Sequence, residues 1–128
     1  MSNFHNLGET LKAMATAAEP GAPAVRALTI GEGVMAGLLR SGNHDGGLHR
    51  QPHHEELLIV VEGEAEFRVG DETRHIRPGD FVFVPRDAVH GTVAIKLAPL
   101  SFLSIVTPRI DLTKDLVWEN GPPRFRMV

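Results

Sequence analysis

Apolar positions along the chain follow two different periods. Leu7, Leu11, Met14 and Ala18 recur at steps of four, three and four, which is one face of an α-helix, and Asn6 stands where an N-cap belongs. The spacing predicts a helix over residues 7–18, stopped by Pro20-Gly21-Ala22-Pro23. Its stripe is narrow and Ala-rich, as expected of a helix laid on the outside of a domain. From Val25 onward, short apolar runs are cut by turn residues at intervals of about eight to twelve positions, the texture of an all-β sandwich or barrel. Strands are expected at 24–30, 33–40, 55–61, 64–69, 73–77, 81–84, 88–96 and 100–107. Between them fall Gly31-Glu32-Gly33, the polar loop Ser41 to Gly47, Glu62-Gly63, Gly70-Asp71, Pro78-Gly79-Asp80 and Pro99. Each is a turn by its chemistry: Gly supplies positive φ, Pro presets φ, and Asp or Asn bonds its own backbone.

Two strand pairs read as hairpins. In one strand, Glu64, Glu66 and Arg68 alternate with Ala65, Phe67 and Val69, so one face is wet and the other packed. The run Phe81-Val82-Phe83-Val84 has no such alternation and is expected to be covered on both sides. After Pro108 the composition turns polar around one tryptophan, Trp118, whose size favours packing on the outer face of the domain or on a partner subunit. The chain therefore divides into a helix and linker (1–23), an all-β domain (24–107) and a tail (108–128).

Length and composition narrow the classes. A chain of 128 residues with 42% hydrophobic content suits one domain around one core. The net charge of −3, with Lys and Arg scattered, argues against a nucleic-acid partner. No cysteine occurs, so any metal must be held by nitrogen and oxygen. The first twenty residues include Glu9, Lys12 and Glu19, and no run of eighteen apolar residues occurs anywhere. The expectation is a cytoplasmic protein with no membrane partner.

The densest chemistry lies in Leu48-His49-Arg50-Gln51-Pro52-His53-His54-Glu55-Glu56, directly ahead of Leu57-Leu58-Ile59-Val60-Val61. Three of the seven histidines and two carboxylates fall there, and imidazole nitrogen with carboxylate oxygen is the usual ligand set of first-row divalent metals. His90 follows the second apolar run. His5, His44 and His75 lie apart and read as surface residues.

These residues resemble the two motifs of the cupin superfamily of small β-barrels. In the first motif, His49 takes the place of the first His, Gln51 that of the second, Glu56 that of the Glu after a four-residue spacer, and Gly63 follows. In the second, Gly79, Pro85 and His90 match in register. The departures are Gln51 where a second His is usual, Asp87 for Gly, Ala94 for Asn, and a displaced leading Gly. The resemblance covers residues 24–107 and implies a jelly-roll barrel with one divalent metal near its mouth, usually in a homodimer.

His49, Glu56 and His90 make two imidazoles and one carboxylate, a set that holds Fe(II), Mn(II), Ni(II) or Zn(II) with positions left open. Gln51 is a candidate fourth ligand, with His53 or His54 as substitutes; strand parity with Glu56 favours His54. Glu55 points the other way. Arg40 ends a barrel strand where its planar fork suits a substrate carboxylate, although a solvent-exposed strand-end charge fits the position too. Met35, Phe81 and Phe83 are candidate walls of an apolar pocket, with ordinary core packing as the plainer role. The expected function is a metal-dependent enzyme on an oxygen-rich small molecule, of dioxygenase, isomerase or lyase type, with Glu56 as ligand and catalytic carboxylate. The alternative is a non-catalytic sensor or ligand-binding module, since a fold of this kind hosts both.

Overall fold

The computed structural model describes residues 2–17, 23–42, 47–120 and 125–128. Ala18, the linker Pro20 to Ala22, His44 and residues 121–124 lie outside them. Helix α1 spans Leu7–Ala17. Its start is capped as expected: the Glu9 backbone N–H donates to Asn6 Oδ1 at 2.9 Å. Leu11 and Met14 are buried against Ala24, Leu28 and Leu38, so the helix covers the outer face of the strands that follow.

Those strands are β1 (Ala24–Ile30), β2 (Met35–Ser41), β3 (His49–Arg50), β4 (Glu55–Val69), β5 (Glu72–Ile76), β6 (Phe81–Val84), β7 (His90–Thr107), β8 (Val117–Trp118) and β9 (Arg126–Met127). One sheet contains them all, in the order β5-β4-β7-β2-β1-β9, with β6 on β4, β3 on β7 and β8 on β3. The molecule is mostly strand, with a jelly-roll arrangement and one short helix.

Two expected strand pairs are in fact single long strands. Residues 55–61 and 64–69 run together as β4, and 88–96 and 100–107 as β7. β4 and β7 pair antiparallel from Glu55↔Thr107 to Val69↔His90, with register shifts clustered between Val60 and Phe67. Gly63 is what lets the ladder continue there. It sits at φ 83°, and a Cβ on it would lie 2.3 Å from the Pro99 carbonyl oxygen. Glu62-Gly63 is thus a bulge inside a strand, not a turn between two.

The inward stripe of β4 is Glu56, Leu58 and Val60 before the bulge and Ala65 and Phe67 after it; that of β7 includes Leu100, Phe102, Ser104 and Val106. Most of these apolar side chains form one core with Ile76 and Val84. The β4–β5 hairpin closes through Gly70-Asp71 with Ala65 opposite Ile76 and Val69 opposite Glu72. Its wet and packed faces fall as the alternation requires.

The run 81–84 behaves differently from its expectation. β6 pairs with β4 alone, so it is an edge strand with one covered face. Val84 is buried, whereas Phe81 and Phe83 are 60% and 46% exposed. The tail lies on the barrel, at the cavity and not on the outer face. It returns over the barrel mouth, pairing Trp118 with His49 and Val117 with Arg50, while Ile110 packs with Met35 and Val106.

Candidate functional site

Glu56 owes its position to strand parity. It shares the inward face of β4 with Leu58 and Val60, which puts a carboxylate where the pattern otherwise puts hydrocarbon. His90 opens β7 opposite Val69 and is 1% exposed. His49, on the two-residue strand β3, pairs with His90 on one side and Trp118 on the other. Arg50 pins that segment through ion pairs to Asp87 at 2.5 Å and Glu119 at 3.8 Å. Asp87 stands at φ 65°, a left-handed conformation that Asp tolerates better than most side chains. That backbone accounts for the glycine usual at this place in the resembled motif.

The result is a compact polar cluster. The His49 and His90 rings are 4.3 Å apart between centroids. His90 Nε2 lies 3.2 Å from Glu56 Oε1, and Ser104 Oγ donates to Glu56 Oε2 in a short hydrogen bond. His49 Nδ1 donates to the Gly47 carbonyl at 3.0 Å and His90 Nδ1 to the Ala88 carbonyl at 2.9 Å. Because a carbonyl only accepts, both Nδ1 atoms carry hydrogen, which makes Nε2 the ligand nitrogen of each ring. That of His90 is engaged with Glu56 and serves a ligand only once the proton between them has left. The Gln51 side-chain oxygen is buried with no hydrogen-bond partner, an orphan acceptor of the kind a bound group would satisfy.

Electrostatics follows burial. Desolvation, reinforced by the neighbouring His90, pushes the His49 pKa down to about 4, so this ring is neutral and ligand-competent at pH 7. Burial alone would raise the Glu56 pKa; the hydrogen bond and charge of His90, with Ser104, outweigh it and hold the carboxyl below its usual range.

The cluster forms one end of a cavity of about 110 Å³. His49, Gln51, Glu56 and His90 all line it, as do Met35 and the residues Ser104, Ile110, Leu116, Trp118 and Phe125. Trp118 lies over His49 with ring centroids 4.7 Å apart and itself stacks on Phe125.

Three expected site residues are elsewhere. His54 is buried but turned toward the tail, with Nε2 3.4 Å from the Arg109 carbonyl oxygen and 3.9 Å from Asp115. Parity with Glu56 does not carry to it because Pro52 and His53 form a turn before β4 begins. Arg40 pairs with Glu62 at 3.3 Å, away from the cavity lining. Phe83 faces outward on β6. Ser104, Trp118 and Phe125 belong to the cavity although the motif spacing did not single them out as site residues.

The donor set suits a divalent ion in kind: two imidazole Nε2 atoms, a carboxylate and an orphan amide oxygen at one end of one cavity. As these side chains stand, no three His, Asp or Glu among the described residues converge on a common point, and His90 and Glu56 are turned to each other. The hydrogen bond between His90 and Glu56 needs one proton between Nε2 and Oε1, and a cation taking that place would displace it.

Comparison with known proteins agrees with this architecture. No curated protein matches the chain. Among solved structures, a double-stranded β-helix protein from Klebsiella pneumoniae superposes with a TM-score of 0.75 at 20% identity, over 94% of this chain and 100% of the other. KdgF from Halomonas sp. superposes with a TM-score of 0.65 at 26% identity, over 74% of this chain and 86% of the other. A protein from Ralstonia eutropha described as a putative mannose-6-phosphate isomerase gives 0.61 at 24% identity, over 72% and 88%. The cupin domain profile matches residues 38–106, which takes in both motif segments and the cavity end they build: the chain belongs to the cupin family.

Proposed function

We propose that this cupin is a metal-dependent enzyme acting on a small oxygen-bearing molecule. The observation that carries the reading is the pair of imidazoles whose Nδ1–H groups are both tied to backbone carbonyls, presenting two Nε2 donors beside Glu56 and the unpartnered Gln51 oxygen. In this reading His49, Glu56 and His90 anchor one ion (Fe, Mn, Ni or Zn), with Gln51 as the auxiliary ligand. A bound ion would polarise a coordinated carbonyl or enolate oxygen. The chain's own residues do the rest. Glu56 would ligate through Oε1 and moderate the charge of the centre, Ser104 orients its other oxygen, and Trp118 covers the His49 ring. Dioxygenase, isomerase and lyase chemistry all suit such a centre, and the likeness to a putative isomerase keeps that branch open.

The test is elemental analysis of protein purified without added metal, followed by an oxygen-uptake screen. Stoichiometric Fe or Mn with uptake is the expected result for a dioxygenase, and stoichiometric metal without uptake directs assay to isomerase and lyase substrates. Metal-free protein that binds ligand tightly would sink the enzyme reading. It would favour a non-catalytic binding module, which draws support from the His90–Glu56 pair satisfying itself without an ion.

The reading includes a homodimer in a cytoplasmic setting. The outward Phe81 and Phe83 on the edge strand β6 are the kind of edge that proteins cover by pairing. Light scattering near 13.9 kDa would contradict it. Among the described residues no helix is long and apolar enough to cross a membrane.

A further inference from the structure

The cavity is chemically lopsided. Its charged and imidazole groups form one contiguous cluster of His49, Glu56 and His90, and Ser41 and Thr92 add two hydroxyls. Leu39, Leu58, Phe102 and Val106, with Phe67 and Trp118 against the histidine rings, supply hydrocarbon and ring surface. No Lys or Arg stands among the described residues that line it. A ligand carboxylate or phosphate placed against that wall would lose its hydration without gaining a cation, a loss that apolar contact does not offset. A ring or branched hydrocarbon placed there gains from burial roughly in proportion to its area. Beside that cluster, Gln51 Oε1 is buried without a partner and can only accept, so in the ion-free protein it calls for a hydroxyl donor on the ligand. The volume of about 110 Å³ is of the same order as the roughly 150 Å³ of a cavity that admits benzene.

We infer that the site takes an uncharged molecule of about benzene size, with a hydrocarbon ring or branched chain as its body and hydroxyl groups confined to one edge. Polyhydroxy acids and phosphorylated sugars are the wrong class for this wall. The inference rests on the proposed reading of this cavity as the ligand site, and it narrows that reading from oxygen-bearing molecules at large to ones whose oxygens sit on one side.

The test compares cyclohexane-1,2-diol with tartrate on the full chain, both zinc-loaded and chelator-treated. Both probes carry a vicinal diol; they differ in a ring against two carboxylates. Affinity is read by calorimetry, and occupancy by the indole N–H resonance of Trp118, the single tryptophan of the sequence. In the chelator-treated protein the diol should bind roughly tenfold tighter or better, the direction that buried apolar area dictates, and should shift the indole resonance. Zinc loading should favour tartrate, whose hydroxycarboxylate groups chelate the ion. Thr92→Arg, which adds a cation to the lining at a half-buried position, should move the preference toward tartrate. Tartrate binding as tightly as the diol to the unaltered, chelator-treated protein overturns the inference, as does an indole resonance that neither probe moves. An unmoved preference in the Thr92→Arg protein also counts against the wall as the selector. Because the chelator-treated arm needs no ion, a failure of metal binding sinks the enzyme reading and leaves this result standing on its own.

Discussion

Strand β4 carries two sets of imidazole–carboxylate contacts in opposite surroundings. Near its start Glu56 meets His90, with side chains 6% and 2% exposed. Beyond the Gly63 bulge, Glu64 and Glu66 hold His75, at 2.7 and 3.2 Å, with the His75 side chain 44% exposed. The chemistry is the same and the consequences differ. At the surface the hydrogen bonds from His75 to Glu64 and then Glu66 raise its pKa, as two acceptors on one ring should. Inside, desolvation drives His49 down and leaves Glu56 ionised only because His90 and Ser104 hold it. Water makes the outer contacts dispensable and the inner ones obligatory.

The comparison is broken most severely by cutting the inner pair. Glu56→Ala strands a buried imidazole and should cost about 3 kcal/mol or more, the usual penalty for removing half of a buried pair, seen as a drop in the urea midpoint. Glu64→Ala removes a contact of the same kind at the surface and should leave the midpoint within measurement error.

Metal titration sharpens the contrast next. His49→Ala and His90→Ala each delete an anchoring donor, so affinity should collapse, whereas Gln51→Ala should lose about 10–100-fold, the range of supporting residues. Gln51→His should tighten binding, since imidazole outranks an amide oxygen for the later first-row ions. His54→Ala, which removes a side chain turned to Arg109, should leave affinity unchanged. Calorimetry on these proteins decides the matter, and loss of affinity in His54→Ala alone would reverse the assignment.

Acid probes both regions in opposite senses. The folded pKa of His49, about 4, lies below its ordinary 6.5. Between those values the unfolded chain binds more protons, so stability falls as pH drops from 6.5 toward 4. Glu56, also lowered, adds a contribution present above its unfolded pKa and lost as acid reaches its folded one. His75 is raised, so its contribution is complete below 6.5 and fades as pH climbs through the folded value. Urea midpoints across pH should therefore fall on the acid side in the parent. His49→Asn should flatten the upper part of that fall. The smallest effect belongs to His75→Gln, which should change only the slope above 6.5.

Spacing alone makes part of this site readable. His49, Glu56 and His90 sit where two motif registers and an inward parity coincide, and the barrel brings all three to one cavity end. Parity misled at His54 because it is a property of strands, and residues 52–53 are a turn. Local composition misled at Phe81 to Val84, since an apolar run cannot say whether a strand has one neighbour or two; that depends on sheet order. The same limit joined the expected strands at Glu62-Gly63, where turn-forming residues serve a bulge. Ser104 and Trp118 were out of reach for another reason. Each meets its partner only through long-range pairing, and a single Ser on an otherwise apolar stripe or a single Trp in a polar tail has no spacing signal.

Glu56 and His90 are 34 positions apart, Glu56 and Ser104 are 48 apart, and Trp118 reaches His49 from still further along the chain. No fragment of local sequence contains the centre, which puts its assembly after the slow, loop-closing steps typical of non-local β topologies. An ion that needs His49, Glu56 and His90 together has little to grip before the rate-limiting barrier is crossed. Adding metal to the refolding buffer should leave the folding rate nearly as it was, and its stabilisation should appear almost entirely as slower unfolding, readable in stopped-flow traces of Trp118 fluorescence. For this barrel, metal would act as a latch rather than a template.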